Sequence, residues 1–386
     1  MKLFVILSRV PYPLEKGDKL RAFNQIKELS KKHDIFLCAL NDHRLHPEAE
    51  SILKAYCKEI YIFPISKWSI VFNVLLFFIK GKPLQCGYFY RRSIQRHINR
   101  LIDSIQPDHI YSQLIRTTEY IKHQKIKKTL DYQDAFSKGV KRMMAKAPFW
   151  KRIIFSIEYR RLLRYEKEIF NYFDNHTIIT QVDRVFIPHP SANSISVVPN
   201  GVDLSLFSPI QKEKKYDLIF TGNFSYPPNI DAATFLVEEI LPLLREKYPS
   251  ILLAICGANP SVKVKLLQGK NVVVTGWVDD IRSYYAQSRI FIAPMRLGTG
   301  LQNKLLEAMA MKIPCITSPL ASEPLNAQEK KDIIVCNSIL GYIDAIDMLL
   351  SQTDFYNQIA ENAYSFVKKN YNWEQTTSIL DKLLTK

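Results

Sequence analysis

Apolar runs of strand length alternate with helix-length segments along almost the whole chain, and they form two series. The first comprises Lys2 to Leu7, Ile35 to Leu40, Ile60 to Phe63, His109 to Ser112, Thr129 to Tyr132 and His176 to Thr180. The second comprises Leu218 to Thr221, Leu252 to Cys256, Val272 to Thr275, Ile290 to Ala293 and Cys315 to Thr317. Around His189 to Asp217, Pro188, Pro190, Pro199 and Pro209 punctuate a mostly polar stretch. Such alternation predicts parallel sheets with crossover helices, and the pause predicts a connection between two successive α/β domains. A chain of 386 residues also exceeds one ordinary core. The expected division is 1–190, 191–365, and a C-terminal helical stretch, 366–386, that crosses back to the first domain. That stretch belongs to a helical pattern from Phe355 to Leu384, interrupted around Asn370 to Trp373.

Apolar residues at 47% and charged residues at 23% are those of a globular chain, and no repeat or low-complexity tract argues otherwise. The six cysteines, Cys38, Cys57, Cys86, Cys256, Cys315 and Cys336, are scattered without a C-x-x-C pair or Cys/His cluster. Most of them read as buried, reduced thiols of a cytosolic protein. Met1 to Leu7 is short, meets Arg9 at once and reads as a first strand rather than a secretion signal.

The net charge of +16 is one-sided. Residues 1–190 hold 34 Lys and Arg against 18 Asp and Glu, and the remainder holds 19 of each. A basic first domain points to an anionic partner: nucleic acid, a membrane surface or a phosphorylated acceptor. No nucleic-acid-binding motif is present.

The segment Phe291 to Met311, FIAPMRLGTGLQNKLLEAMAM, carries the clearest chemistry. An apolar strand runs into Gly298-Thr299-Gly300 and then into a run of strong helix formers. Unpaired amides and a positive dipole end at the helix start, with glycine allowing close approach, place an anion at Gly300 and Leu301. Lys304 can reach the same anion, and Glu307 follows three residues later on the same helical face. That combination suits a diphosphate and a ribose diol. The alternative is a βα turn on which Lys304 and Glu307 pair at the surface. The pattern Gly298-x-Gly300-x-x-Asn303 lacks the third glycine of a dinucleotide fingerprint, which argues against a dehydrogenase.

The second half resembles the retaining GT-B glycosyltransferases of family 4. The resemblance rests on Val197 to Asp203 (VVPNGVD) with Phe207, Thr275 to Asp280 (TGWVDD), Gly298 to Ala310, and Tyr371 to Glu374 (YNWE), in the family's order. The first half resembles a subgroup associated with exopolysaccharide sugar transfer, through Arg9 to Pro13 (RVPYP), Lys16 to Arg21 (KGDKLR) and Asp131 to Asp134 (DYQD). The resemblance implies an α/β GT-B fold, two Rossmann-like domains facing a central cleft, with an acceptor-side first domain and a nucleotide-sugar-binding second one.

It also implies site residues. Glu307 would hydrogen-bond the donor ribose, the Gly300 and Leu301 amides would hold the distal phosphate, and the Gly276 to Val278 loop would flank the base. Asn303 would assist at the sugar or phosphate, and Lys304 would carry the diphosphate charge. Gly222 and Asn223, after the first strand of the second domain, join Gly298 and Thr299 on the donor side. From the first domain, Gly17 and Asp18 would approach the sugar, with Arg21 adding charge to the diphosphate; Asp18 also reads as a helix cap. Asp134 and Asp131 would orient an acceptor hydroxyl, with a turn or cap role favoured for Asp131. Two positions depart from the family: Thr299 stands where the first of two glutamates is usual, and the Gly222 to Asn229 loop lacks the usual Arg and Lys. Asp279 and Asp280 read as turn and helix-start residues, and no metal is expected. No cofactor is implied beyond a UDP- or GDP-linked sugar as co-substrate.

Trp68 to Ile79 is apolar and followed by Lys80, Lys82, Arg91, Arg92, Arg96 and Arg100, with Tyr88, Phe89 and Tyr90 among them. At about 18 Å as a helix it is too short to span a bilayer. It suits a peripheral anchor on an anionic membrane, as does Lys151 to Phe173, each with a packed helix as the alternative. The expected protein is a cytoplasmic transferase on the inner face of the cytoplasmic membrane, moving sugar to a saccharide or lipid-linked acceptor. A sugar-nucleotide epimerase of the same fold and a catalytically silent scaffold are the other readings.

Overall fold

The computed structural model describes every residue except Thr299, and every side chain except that of Lys146 as well. The chain divides into two compact units: Met1–Pro199 with Trp373–Lys386, and Asn200–Asn372.

In the first unit, the described residues form a parallel sheet of seven strands: β1 (Lys2–Leu7), β2 (Asp34–Asn41), β3 (Glu59–Pro64), β4 (His109–Gln113), β5 (Lys128–Asp131), β6 (Asn175–Ile178) and β7 (Ser196–Val197). Their order is β3-β2-β1-β4-β5-β6-β7. Leu3 to Leu7 are all buried, as a central parallel strand covered on both faces requires. Helices complete the layers. Arg92–Ile105, for example, buries Ile94, Ile98, Ile102 and Ile105 along one stripe and stops at Gln106, whose φ of 49° is left-handed.

The second unit repeats the plan with six parallel strands: β8 (Tyr216–Thr221), β9 (Leu253–Cys256), β10 (Val272–Gly276), β11 (Ser288–Ala293), β12 (Cys315–Thr317) and β13 (Ile334–Val335). The order is β10-β9-β8-β11-β12-β13. The sheet order reverses direction between β1 and β4 in one unit and between β8 and β11 in the other. Ligands of open α/β sheets bind beyond the carboxyl ends of the strands at such a switch.

The two strands absent from the sequence reading, β7 and β13, have two residues each, too few to display a period. Because β7 pairs with β6 and Val198 is fully buried, the first unit runs past residue 190 to Pro199. At the other boundary, the helix Thr353–Asn370 buries Ile359, Ala363 and Val367 in the core of the second unit, which therefore extends past 365 to Asn372. The helix Trp373–Leu384 then packs Leu380 and Leu384 into the core around β1 and the helix Gly17–Leu29. All six cysteines are buried and none is in a disulfide.

Candidate functional site

The site in the second unit is built by the loops leaving β8 and β11. After β8, Gly222 stands where a Cβ would come within 2.7 Å of Asn229 Nδ2, and a Cβ on Gly257 would lie 1.8 Å from the Gly222 carbonyl oxygen. Glycine at both positions lets the loop backbones touch. Asn223 closes the turn by accepting from Ser225 N at 3.0 Å and Ser225 Oγ at 2.8 Å. Its carbonyl in turn accepts from Asn229 Nδ2 at 2.9 Å.

After β11, Arg296 is held by Asp231 and Glu239, each at 3.1 Å. Gly298 and Gly300 adopt φ of 97° and 79°, a left-handed backbone that favours glycine. Thr299, expected on the donor side, lies outside the described residues. The helix begins at Asn303 rather than at Leu301, with Gln302 as its N-cap. The amides of its first turn are therefore those of Asn303 and Lys304, and Gly300 and Leu301 belong to the approach loop. Gln302 Nε2 donates to the Gly300 carbonyl at 3.3 Å, tying loop to cap. Asn303 Oδ1 accepts from Asn200 Nδ2 at 3.2 Å.

Lys304 and Glu307 do not pair at the surface. Lys304 Nζ donates to Asn229 Oδ1 at 2.6 Å and sits 4.6 Å from the centroid of the Phe220 ring. Glu307 Oε2 accepts from the hydroxyl of the fully buried Tyr285 at 3.1 Å, and that hydroxyl lies 2.8 Å from Thr221 Oγ1. Burial holds the Lys304 ammonium down to about 7, against the opposing pull of Glu307. It pushes the Glu307 carboxyl up to about 7, with Tyr285 and Lys304 opposing. A cation and a carboxyl three residues apart are both half-buried and each carries a separate neutral partner. Perturbed pairs of this kind make a candidate charge-binding site.

Gly276, with φ of 69°, ends β10, and the exposed Trp277 and half-buried Val278 follow in the loop. Asp280 caps the next helix by accepting from Arg282 N at 3.0 Å and pairs with Arg282 Nε at 2.7 Å.

In the first unit, three expectations need correction. Arg21 does not face a ligand: it is fully buried, and its Nε and Nη2 donate to Asp131 at 2.6 and 3.2 Å. Asp131 is fully buried and engaged on all sides: it also accepts from Thr177 Oγ1 at 2.9 Å and Tyr111 Oη at 3.1 Å, and, in the turn role favoured for it, its Oδ1 accepts from Gln133 N at 3.4 Å. Both charges point into the sheet–helix layer and hold it together. Asp18 is the second residue of its helix; Lys16 occupies the N-cap position, so Asp18 is not the cap. Its Oδ2 accepts from Arg9 Nη1 at 2.6 Å, with Arg116 Nη1 at 4.0 Å. Gly17 beside it is open, with nothing within 4 Å of an added Cβ. Asp134 is an exposed residue; the protein around its carboxyl and then the charges of Asp183 and Asp18 raise it, against Arg116 and Arg142, and its exposure to solvent screens that shift.

Asn229, Tyr285, Thr221 and Asn200 escaped the sequence reading. The only local signal was the place of Asn200 within VVPNGVD and of Asn229 at the end of the β8 loop.

Residues 215–352 match the model of the family described as glycosyl transferases group 1. An uncharacterized 44.6 kDa protein in the cps region of Klebsiella pneumoniae is 22% identical across 99% of both chains. The UDP-Gal:alpha-D-GlcNAc-diphosphoundecaprenol alpha-1,3-galactosyltransferase of Escherichia coli is 24% identical over 46% of this chain and 50% of its own. Among solved structures, Anabaena Alr3699/HepE in complex with UDP-glucose superposes with a TM-score of 0.69 at 10% identity, covering all of both chains. The strand orders, the group 1 match and these likenesses agree: the chain is a glycosyltransferase of the GT-B fold, and its second unit carries a group 1 glycosyltransferase domain.

Proposed function

We propose that the chain transfers a hexosyl group from a nucleotide sugar to a lipid-linked or saccharide acceptor in polysaccharide or glycolipid assembly, with retention of anomeric configuration and without a metal ion. The observation that carries the donor assignment is Lys304, half-buried at the β8/β11 switch and fixed by Asn229. Lys304 faces the diphosphate, helped by the amides at the start of its helix and by Asn303. Glu307, oriented by Tyr285, takes the ribose diol. The loops at Gly222 and Asn223, at Gly276 to Val278 and at Gly298 to Leu301 enclose the phosphates and base. Asp18 and Asp134 supply the carboxylates on the first unit, with Gly17 as the open approach beside Asp18.

In the reaction, the bond from the anomeric carbon to the donor phosphate oxygen breaks and its electron pair leaves with the nucleoside diphosphate. The acceptor oxygen bonds to the same face of that carbon, and its proton passes to a donor phosphate oxygen. Lys304 and the helix amides stabilise the charge that develops on the leaving group. UDP is favoured, because the Escherichia coli relative is named for UDP-Gal and the Anabaena structure holds UDP-glucose. The same relative's acceptor is diphosphoundecaprenol-linked by name, which favours a lipid-linked acceptor.

Among the described residues, no helix is long and apolar enough to cross a membrane. Peripheral contact with the cytoplasmic leaflet belongs to this proposal, supported by an apolar face on the first unit. Trp68, Val71, Phe72, Leu75 and Ile79 of the helix Lys67–Ile79 are exposed, Trp68 to 88%, and only Phe77 is buried. The helix Phe149–Phe170 buries Leu162 and Ile169 in its second half, whereas Phe149, Trp150, Ile153 and Ile154 in its first half are exposed. The two helices meet where Arg161 donates to the Phe78 carbonyl at 2.9 Å and stacks 4.2 Å from the Phe78 ring centroid. An apolar face of this extent rimmed by Lys and Arg suits the headgroup region of an anionic bilayer.

The test of the donor reading is binding of UDP, GDP, ADP and dTDP to the purified protein and to Lys304→Ala and Glu307→Ala. Selective binding weakened by both substitutions is expected. No binding of any of the four would sink it.

A further inference from the structure

A pocket of 640 Å³ opens beyond the carboxyl ends of β1 and β2, lined among others by Arg9, Lys16, Lys19, Asp42 and Arg44. Its cations are not equivalent. Arg9 is engaged by Asp18 at 2.6 Å, and Lys19 approaches Glu15 at 3.4 Å. Lys16 and Arg44 have no acidic partner among the described residues. Asp42 is occupied on its other side, accepting from Tyr88 Oη at 2.9 Å. Lys16 is also the N-cap position of the helix Gly17–Leu29, so the positive end of that helix adds to the two free charges.

The pocket is joined to the apolar face by one short helix, Leu84–Phe89. On the pocket side this helix supplies Tyr88 to Asp42, and the Phe89 ring lies 6.0 Å from the Arg9 guanidinium. On the other side Gly87 packs so closely on the helix Lys67–Ile79 that a Cβ there would fall 2.7 Å from Phe77 Cβ. The two contacts come from adjacent residues, Gly87 and Tyr88, so the pocket and the helix Lys67–Ile79 flank the same turn. A neutral saccharide has no need of two unpaired cations. An amphiphile with a doubly charged head and an apolar tail satisfies both the pocket and the face beside it.

We propose that this pocket binds the diphosphate group of a lipid-linked acceptor whose chain remains in the bilayer. The inference rests on the reading of the chain as a transferase acting on such an acceptor, and it assigns the site and the recognising groups, Lys16 and Arg44. Both side chains reach solvent, so their removal leaves the core untouched.

The experiment is co-sedimentation of the full chain with phosphatidylcholine vesicles carrying either a polyprenyl diphosphate or the corresponding polyprenyl alcohol, for wild type and the Lys16→Ala/Arg44→Ala variant. Retention of wild type should rise about tenfold with the diphosphate, as charge-assisted contacts of this kind imply. The double variant should lose that increment while keeping its retention on phosphatidylglycerol vesicles and its binding of UDP. No increment in wild type, or an equal one in the variant, overturns the assignment. So does a parallel loss of the variant's retention on phosphatidylglycerol vesicles, which would reduce both cations to general surface charge. Inorganic pyrophosphate bound to the protein in solution as tightly as the vesicle-borne diphosphate would remove the lipid from the assignment. UDP binding measured on the same preparations tells failure of the donor reading apart from failure of the pocket.

Discussion

Lys304 Nζ lies 2.6 Å from Asn229 Oδ1, so the ammonium of the helix after β11 is anchored by an amide from the loop after β8. The same amide donates to the Asn223 carbonyl at 2.9 Å, and its place against Gly222 leaves no room for a Cβ there. One side chain thus sets both the loop and the cation. Lys304→Ala is expected to weaken nucleoside diphosphate binding by about 1.5 to 3 kcal/mol, the worth of a charged hydrogen bond. Asn229→Ala should give a smaller loss, because the charge remains but is no longer positioned. Isothermal titration with UDP measures both.

Arg21 and Asp131 test the opposite role. Breaking a buried pair by Arg21→Met is expected to cost about 3 to 5 kcal/mol of stability, since Asp131 is left charged and unpaired. Urea unfolding reports the loss, and Asp131→Asn added to the first change should restore part of it. The folded fraction should still bind UDP with unchanged affinity, which a direct contact to the diphosphate would forbid.

The titrations of Lys304 and Glu307 give a pH signature. Lys304 is lowered to about 7, so below that pH the folded protein holds a charge disfavoured by burial; its contribution to stability recovers as pH rises from 7 toward the usual lysine value. Glu307 is raised to about 7, so its contribution is full below the usual glutamate value and falls as pH rises to 7. The two opposing slopes place a shallow minimum of stability near neutrality. Urea unfolding from about pH 5 to about pH 9 should show the dip in wild type and lose it in Lys304→Met/Glu307→Gln.

The apolar face predicts a membrane phenotype without a folding one. Trp68→Ser with Phe72→Ser removes two exposed side chains, each worth about 1.5 to 3 kcal/mol when fully buried in an apolar medium. Retention on phosphatidylglycerol vesicles should drop at least about tenfold, with the urea midpoint unchanged. Unaltered retention would leave the face without a membrane role.

Removal of divalent ions is expected to leave sugar transfer unchanged, because the proposed mechanism gives the diphosphate charge to Lys304 and the helix amides. Initial rates with and without a chelator measure this, and activity restored only by an added metal would reassign the leaving-group charge.

The sequence by itself determined the two parallel sheets, because buried parallel strands are continuous apolar runs and crossover helices have their own period; β1 and β11 are legible from local composition alone. It also determined the segment from Gly298 to Glu307, where glycines, a helix start, a cation and a carboxylate follow one another in the chain. Only the tertiary structure decided which charges are sealed in the core against a partner and which stand half-buried at the loops. Arg21 and Asp131 are 110 residues apart and Lys304 and Asn229 are 75 apart, so nothing in their surroundings along the chain distinguishes a buried structural arginine from a lysine held at a site. The same holds for Trp68 to Ile79, whose apolar run predicts burial and a membrane face equally well. What separates them is packing: the unit's core closes over Phe77 and leaves the rings of Trp68 and Phe72 exposed. Periodicity is encoded locally, whereas the partner of a buried charge and the cover of an apolar face are set by distant residues that only the folded chain brings together.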